Sequence, residues 1–125
     1  MIVGTGIDIA EVDRIRQAIA RYGERFLHRV FTEREIAYCR PKKNAAERFA
    51  ARFAAKEAAM KAIGTGLRHG VTWHDVEVVR EPSGRPALSF TGRAAVIAAQ
   101  LGARRSALSL THTETQAMAQ VILED

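Results

Sequence analysis

The sequence is poor in the residues that hold small proteins together covalently or anchor them in a membrane. Its 125 residues include one cysteine, Cys39, so no disulfide can form within the chain. This favours a reduced compartment, and we expect a cytoplasmic protein. No apolar run approaches the ~20 residues of a membrane span. The N-terminus meets Asp8 too soon for a signal peptide, and we expect no membrane contact.

Aromatic residues and net negative charge are also scarce. Aromatic side chains make up 6% of the chain, and the formal net charge is +5. A basic protein of this size attracts an anionic partner, which is a nucleic acid, a phosphorylated ligand or an acidic protein. Few aromatic residues argue against stacking on bases. We therefore expect no nucleic-acid partner, although a basic nucleic-acid-binding module and a scaffold for an acidic protein stay open as alternatives to an enzyme.

The apolar content is high enough for a core, and the longest predicted element lies at the centre of the chain. The length of 125 residues predicts a single domain over residues 1–125, and the hydrophobic content of 47% is enough for its core. The alanine-rich segment 49–67, FAARFAAKEAAMKAIGTGL, has no proline and no glycine before Gly64, which predicts one long helix. Large apolar residues recur on one face of it, namely Phe49, Phe53, Met60 and Ile63.

Two charged residues interrupt that apolar stripe. Glu57 falls inside it, and Lys61 lies one turn further on at its edge. A carboxylate on a buried face is costly unless it is paired or binds a cation. A carboxylate, an ammonium group and the flexible backbone at Gly64 suit a metal-bound phosphate. The alternative is an ordinary i,i+4 ion pair with Gly64 as the helix C-cap.

The first strand contributes a second carboxylate. Residues 2–9 are β-branched with interposed glycines, which predicts a strand in close contact with a neighbouring backbone. Asp8 shares a face with Gly6, so its side chain opens onto a face free of bulk. The alternative is that Asp8 only helps to start the helix that follows.

The next helix, residues 11–22, carries an apolar seam and a separate basic stripe. The basic stripe consists of Arg14, Arg21 and Arg25. Most such stripes are solvated surface, but this one also suits an acidic helix that is steered by charge.

The remaining pattern predicts short elements. Thr32 and Glu35 form a capping box, and Asn44 with Glu47 is predicted to cap the long helix. Strands are predicted at 71–80, 87–90, 106–113 and 115–123, with a helix at 91–101 that Thr91 caps. The element order predicts an α+β fold, a small and mainly antiparallel sheet packed against the long central helix. His112 ends a strand where a ligand can reach it, or is a core-edge histidine bonded to a backbone carbonyl.

Three segments together resemble a known family over essentially the whole chain. GIDIAEVDRI at 6–15, FAAKEAAMKAIGTGL at 53–67, and SLTHT with AMAQVILE near the C-terminus are similar to the holo-[acyl-carrier-protein] synthases, short single-domain 4′-phosphopantetheinyl transferases. The resemblance implies transfer of the 4′-phosphopantetheine arm of coenzyme A to a serine of apo-acyl carrier protein, in support of fatty acid biosynthesis. The other product is adenosine 3′,5′-bisphosphate.

The resemblance also implies roles for individual residues. Asp8 and Glu57 would ligate Mg²⁺ and act in catalysis with Lys61. The coenzyme would contact Arg52, Lys61, Gly64, Gly84, Arg85, Pro86, His112 and Thr113. The acidic carrier protein would dock on Arg14, Arg21 and Arg25. Lys56 would serve either the structure or the 3′-phosphate, and the general base would be Glu57 or a metal-bound water held by it. Members are commonly homotrimers with sites between subunits.

Overall fold

Five strands and five α-helices form the fold in the computed structural model, which describes residues 1–125. The strands are β1 (Ile2–Glu11), β2 (Val76–Arg80), β3 (Pro86–Phe90), β4 (Arg105–His112) and β5 (Gln116–Glu124). The helices are α1 (Val12–Tyr22), α2 (Glu24–Val30), α3 (Glu33–Cys39), α4 (Ala45–Ala62) and α5 (Gly92–Gln100). None of these helices is both long and apolar enough to cross a bilayer.

The strands form one three-stranded sheet and one hairpin, all antiparallel. The larger sheet has the order β1-β5-β4, and β2 pairs with β3. The register of β1 against β5 runs from Glu11 opposite Gln116 to Ile2 opposite Glu124, with a bulge near the Ile2 end. The predicted α+β fold is therefore confirmed.

Helix α4 is the centre of the core and packs against β1, β5, α1, α3 and β2. Its small residues are buried on several faces, including Ala54, Ala55 and Ala58, and not only along one stripe. The strand β1 lies directly on its backbone. A Cβ atom at Gly6 would stand 1.8 Å from the carbonyl oxygen of Ala58. Glycine in β1 therefore allows the close backbone approach that its sequence predicts.

The ends of the long helix differ from the prediction. It runs over Ala45–Ala62 and not over 49–67. Gly64, at φ +80°, follows the C-cap residue Ile63, and the amide of Thr65 donates to the carbonyl of Met60, so the predicted end of the helix at this glycine is confirmed. The predicted cap by Asn44 and Glu47 is wrong, because the Asn44 side chain bonds no helix amide. Its Oδ1 atom instead accepts from Arg48 Nε at 3.3 Å.

Several shorter elements are also displaced. The capping box of Thr32 and Glu35 is confirmed. Strand β2 begins at Val76 because Trp73–Asp75 form a 3-10 turn. Thr91 makes no capping bond to α5. The side chain of Asp75 caps α5 instead, because its Oδ2 atom accepts a hydrogen bond from the Ala94 amide at 3.3 Å.

Candidate active site

Asp8, Glu57 and Lys61 meet where β1 crosses the C-terminal half of α4. Lys61 Nζ donates to Asp8 Oδ1 at 2.8 Å and to the Ile7 carbonyl at 3.1 Å. The Asp8 side chain is 10% exposed and that of Lys61 is 54% exposed. The ammonium group therefore lies between the carboxylate and the solvent. The two charged residues of α4 are four apart and lie on one face. The site therefore combines a strand carboxylate with a helix carboxylate and an ammonium group.

The charges in this group do not balance. Burial raises the pKa of Glu57, and the neighbouring charge of Asp8 raises it further. The hydrogen bond with Asp8 raises the pKa of Lys61. Two carboxylates thus lie near one ammonium group, and when both are ionised a cation would neutralise the excess negative charge.

These donors fit a magnesium ion that is completed by other ligands. No group of three or more His, Cys, Asp or Glu side chains is arranged to hold a metal ion. Mg²⁺ typically takes one or two carboxylates and keeps waters and substrate phosphates for its other positions. Asp8 and Glu57 would supply such a pair, because both side chains line the same cavity.

A cavity of about 330 Å³ adjoins the carboxylates. Its walls include Asp8 and Glu57 on one side, the apolar side chains of Phe26 and Phe53, and Arg14 of α1. Arg14 therefore lies beside the carboxylates. Arg14, Arg21 and Arg25 are all exposed. None of the three forms an ion pair within the chain, which leaves their charge available to an acidic partner.

Arg52 lies on a different side of α4 from Glu57. It is five residues from Glu57, which is about 140° around a helix at 100° per residue. Arg52 is 4% exposed and its Nε atom has no hydrogen-bond partner. Its guanidinium group stands 4.3 Å from the centre of the Tyr38 ring. A buried guanidinium group with an unused hydrogen-bond donor is suited to bind an anion.

Other basic residues gather around the same tyrosine. Arg48 Nη1 donates to the Tyr38 hydroxyl at 3.3 Å, and Arg80 donates to it as well. The guanidinium of Arg80 also lies 4.7 Å from the ring centre. A Cβ atom at Gly84 would stand 3.2 Å from Arg80 Nη2, so this cluster adjoins the turn of Gly84, Arg85 and Pro86. Sequence reasoning missed Tyr38 and Arg80, because α3 and the β2–β3 hairpin bring them to α4 only in the folded chain.

Lys56 has a structural role. It is fully buried, and its Nζ atom contacts Glu35 Oε1 at 2.8 Å and the carbonyls of Trp73 and Val76 at 3.0 and 2.5 Å. All three of its donor positions are thus used within the core, and the alternative of a 3′-phosphate contact is excluded. Cys39 is also buried, and burial raises the pKa of its thiol to about 11, which makes it a poor nucleophile.

His112 and Thr113 lie at the end of β4. His112 Nδ1 is 2.9 Å from Glu47 Oε1, so its partner is a carboxylate and not the backbone carbonyl considered above. The Thr113 hydroxyl accepts from the amides of Thr115 and Gln116 at 3.2 and 3.1 Å and so holds the β4–β5 turn.

The chain is similar to known proteins over its whole length. Residues 4–119 match the family described as the 4′-phosphopantetheinyl transferase superfamily, and the chain belongs to it. It is 67% identical to the holo-[acyl-carrier-protein] synthase of Koribacter versatilis and 58% identical to that of Solibacter usitatus, in both cases over the full length of both chains.

Solved structures that superpose on this chain are also holo-[acyl-carrier-protein] synthases. The holo-[acyl-carrier-protein] synthase of Neisseria meningitidis superposes with a TM-score of 0.88 at 32% identity and covers both chains completely. The enzyme of Bacillus anthracis, in complex with CoA (3′,5′-ADP), has a TM-score of 0.80 at 37% identity over 98% of this chain and 96% of the other. The fold and the resemblance expected from the sequence are both confirmed.

Proposed function

We propose that this protein is a holo-[acyl-carrier-protein] synthase that transfers the 4′-phosphopantetheine group of coenzyme A to a serine of apo-acyl carrier protein, in support of fatty acid biosynthesis. The observation that carries the proposal is the group of Asp8, Glu57 and Lys61 beside a cavity that Arg14 borders. The full-length similarity to holo-[acyl-carrier-protein] synthases supports the same reaction.

In the reaction, the serine oxygen forms a bond to the phosphorus atom that carries the pantetheine arm. The bond from that phosphorus to the leaving phosphate oxygen breaks, and adenosine 3′,5′-bisphosphate departs. Mg²⁺, held by Asp8 and Glu57, would supply positive charge to the phosphates and the leaving group. Lys61 adds a donor at the same edge. The serine proton passes to Glu57, whose raised pKa suits a general base, or to a water held by it.

The coenzyme would extend from the carboxylates to the basic cluster around Tyr38. The unpaired buried Nε of Arg52 and the adjoining turn of Gly84, Arg85 and Pro86 support binding of its phosphorylated nucleotide end. Gly64 allows the backbone after α4 to approach the phosphates. His112 and Thr113 would also contact the coenzyme, because they lie in the SLTHT segment that resembles the family.

The placement of these parts favours a homotrimer in which neighbouring subunits share each site. Arg52 and Glu57 lie on different sides of α4, which favours a site that takes Glu57 from one subunit and Arg52 from its neighbour. The outer face of the large sheet carries exposed apolar residues, with Ile7 at 56%, Ile9 at 52% and Met118 at 38% exposure. Such a patch needs a partner surface. We propose a cytoplasmic homotrimer.

Mass spectrometry of an apo-acyl carrier protein tests the reaction. Incubation with the protein, coenzyme A and Mg²⁺ should add one phosphopantetheine group, and a chelator should prevent the addition. Glu57→Ala should stay folded and lose transfer, whereas Glu33→Ala, at an exposed carboxylate, should keep it. A fully active Glu57→Ala protein would refute the site. Absence of transfer together with tight, salt-sensitive binding of nucleic acid would favour the binding-module alternative.

A further inference from the structure

The Glu47 side chain forms a hydrogen bond that is unusual for a residue in the first turn of a helix. A carboxylate three residues after the N-cap commonly returns to the N-cap amide. In α4 this bond is absent. Glu47 Oε1 instead contacts His112 Nδ1 at 2.9 Å, across the gap between α4 and the end of β4. The two side chains are only 19% and 26% exposed, and this contact is the one hydrogen bond that either makes.

The chemistry of the contact fixes the histidine ring. An ionised carboxylate only accepts hydrogen bonds, so Nδ1 of His112 must carry the proton that joins the two residues. The bond also sets the plane of the ring, since it ties one of its two nitrogens to a helix. The Nε2 atom is the nitrogen left for a ligand.

We propose that Glu47 is a positioning residue that orients His112, with Nδ1 as donor to the carboxylate, so that Nε2 contacts the phosphate-bearing coenzyme. The inference rests on the proposed function, because it takes the ligand of His112 to be the coenzyme. A histidine that donates to a phosphate carries a proton on both nitrogens, and the carboxylate of Glu47 balances the resulting charge.

A purely structural role would show itself in stability and not in ligand binding. Loss of this one partly buried hydrogen bond removes only a small part of the total stability of the fold. We therefore expect Glu47→Ala to melt close to the wild-type temperature while it binds nucleotide more weakly. Glu47→Gln should retain most of the affinity, because its amide oxygen still accepts from Nδ1.

Isothermal titration with adenosine 3′,5′-bisphosphate measures the binding directly. Glu47→Ala and His112→Ala should each raise Kd about tenfold, the effect of losing one hydrogen bond to a charged group. The double variant should bind no more weakly than His112→Ala alone, because Glu47 acts through the histidine. In transfer assays the KM for coenzyme A should rise similarly, with the KM for the carrier protein unchanged.

Imidazole ¹⁵N NMR provides a readout that does not depend on activity. In the wild type, the His112 signals should report a proton held on Nδ1, and in Glu47→Ala they should report a mixture of tautomers. A matched control is Glu33→Ala, which removes a carboxylate 3.1 Å from Nδ1 of the surface residue His28. That variant should leave nucleotide binding unchanged.

Three results would overturn the inference: wild-type Kd in Glu47→Ala, an additive loss in the double variant, or unchanged His112 signals in Glu47→Ala. Failure of the proposed function looks different. In that case the wild-type protein itself would neither bind the nucleotide nor modify the carrier protein.

Discussion

Gly6 sets the distance between the first strand and the long helix. Because a Cβ atom there would stand 1.8 Å from the Ala58 carbonyl oxygen, Gly6→Ala must push β1 away from α4 or prevent folding. We expect a loss of about 3 kcal/mol or more in unfolding free energy, measured by urea denaturation. Thr5→Ala, at the neighbouring exposed position, should change it by less than about 0.5 kcal/mol. Equal stability of the two variants would contradict the close contact.

Glu77 makes the junction of α3 and β2 sensitive to acid. Burial alone would raise its pKa, but hydrogen bonds from the Thr32 hydroxyl and Arg34 outweigh burial and lower it. A carboxyl group whose pKa is lower in the folded state stabilises the fold above its ordinary pKa of 4.5. That contribution is lost as pH falls through the folded value.

Replacement of the Glu77 carboxylate should therefore make the free energy of unfolding depend less on pH in the acid range. Glu77→Gln should be less stable than the wild type at pH 7, and the difference should shrink below pH 4.5. Denaturant titrations at a series of pH values measure it. A difference that stays constant down to the acid transition would show that Glu77 contributes through packing alone.

At the scale of elements, sequence patterns predicted what depends on local periodicity. The apolar seam predicted α1, and the absence of glycine and proline predicted most of α4. The cap of α4 was wrong, because Glu47 has a tertiary partner in His112 that no local pattern reveals. The buried ion pair of Lys56 and Glu35 was also missed, since it joins two residues on neighbouring helices that are about twenty positions apart in the sequence.

The basic stripe of Arg14, Arg21 and Arg25 on α1 and α2 forms no ion pair within the chain. Arg14→Glu and Arg21→Glu should raise the KM for the carrier protein about tenfold each at low salt, with little change for coenzyme A. The effect should diminish as salt is added, because exposed charges are screened. Steady-state assays at two ionic strengths measure it. Arg104→Glu, at an exposed position outside this stripe, is the control, and an equal effect there would indicate a response to net charge only.

At the scale of the whole molecule, the element order was enough to predict the α+β fold, but it did not reveal which faces stay uncovered. The sequence places Ile7 and Ile9 on one face of β1, and the structure shows that this face is exposed. Met118 lies opposite Ile9 on β5 and extends the apolar patch. Because α4 covers only the other face, the uncovered face is where assembly is expected.

Oligomeric state can be tested on this patch. We expect the wild type to elute as a trimer in size-exclusion chromatography with light scattering. Met118→Glu places a charge in the apolar patch and should shift the protein toward monomers, with a loss of transfer activity. Gln100→Glu, exposed at the end of α5 and outside this patch, should stay trimeric. A monomeric wild type with full activity would reject the assembly.

A subunit complementation experiment tests whether two chains contribute residues to one active site. Glu57→Ala and Arg52→Ala should each be nearly inactive in pure form, because every site then lacks one part. If neighbouring subunits supply these two parts, co-refolded mixtures contain sites with one intact Glu57 and one intact Arg52. Random mixing at equal amounts makes about a quarter of the sites complete in a closed ring. Activity should then rise from near zero to about a quarter of the wild-type value. A mixture as inactive as its components would mean that each subunit binds coenzyme A with its own Arg52 and Glu57, despite their separation around α4.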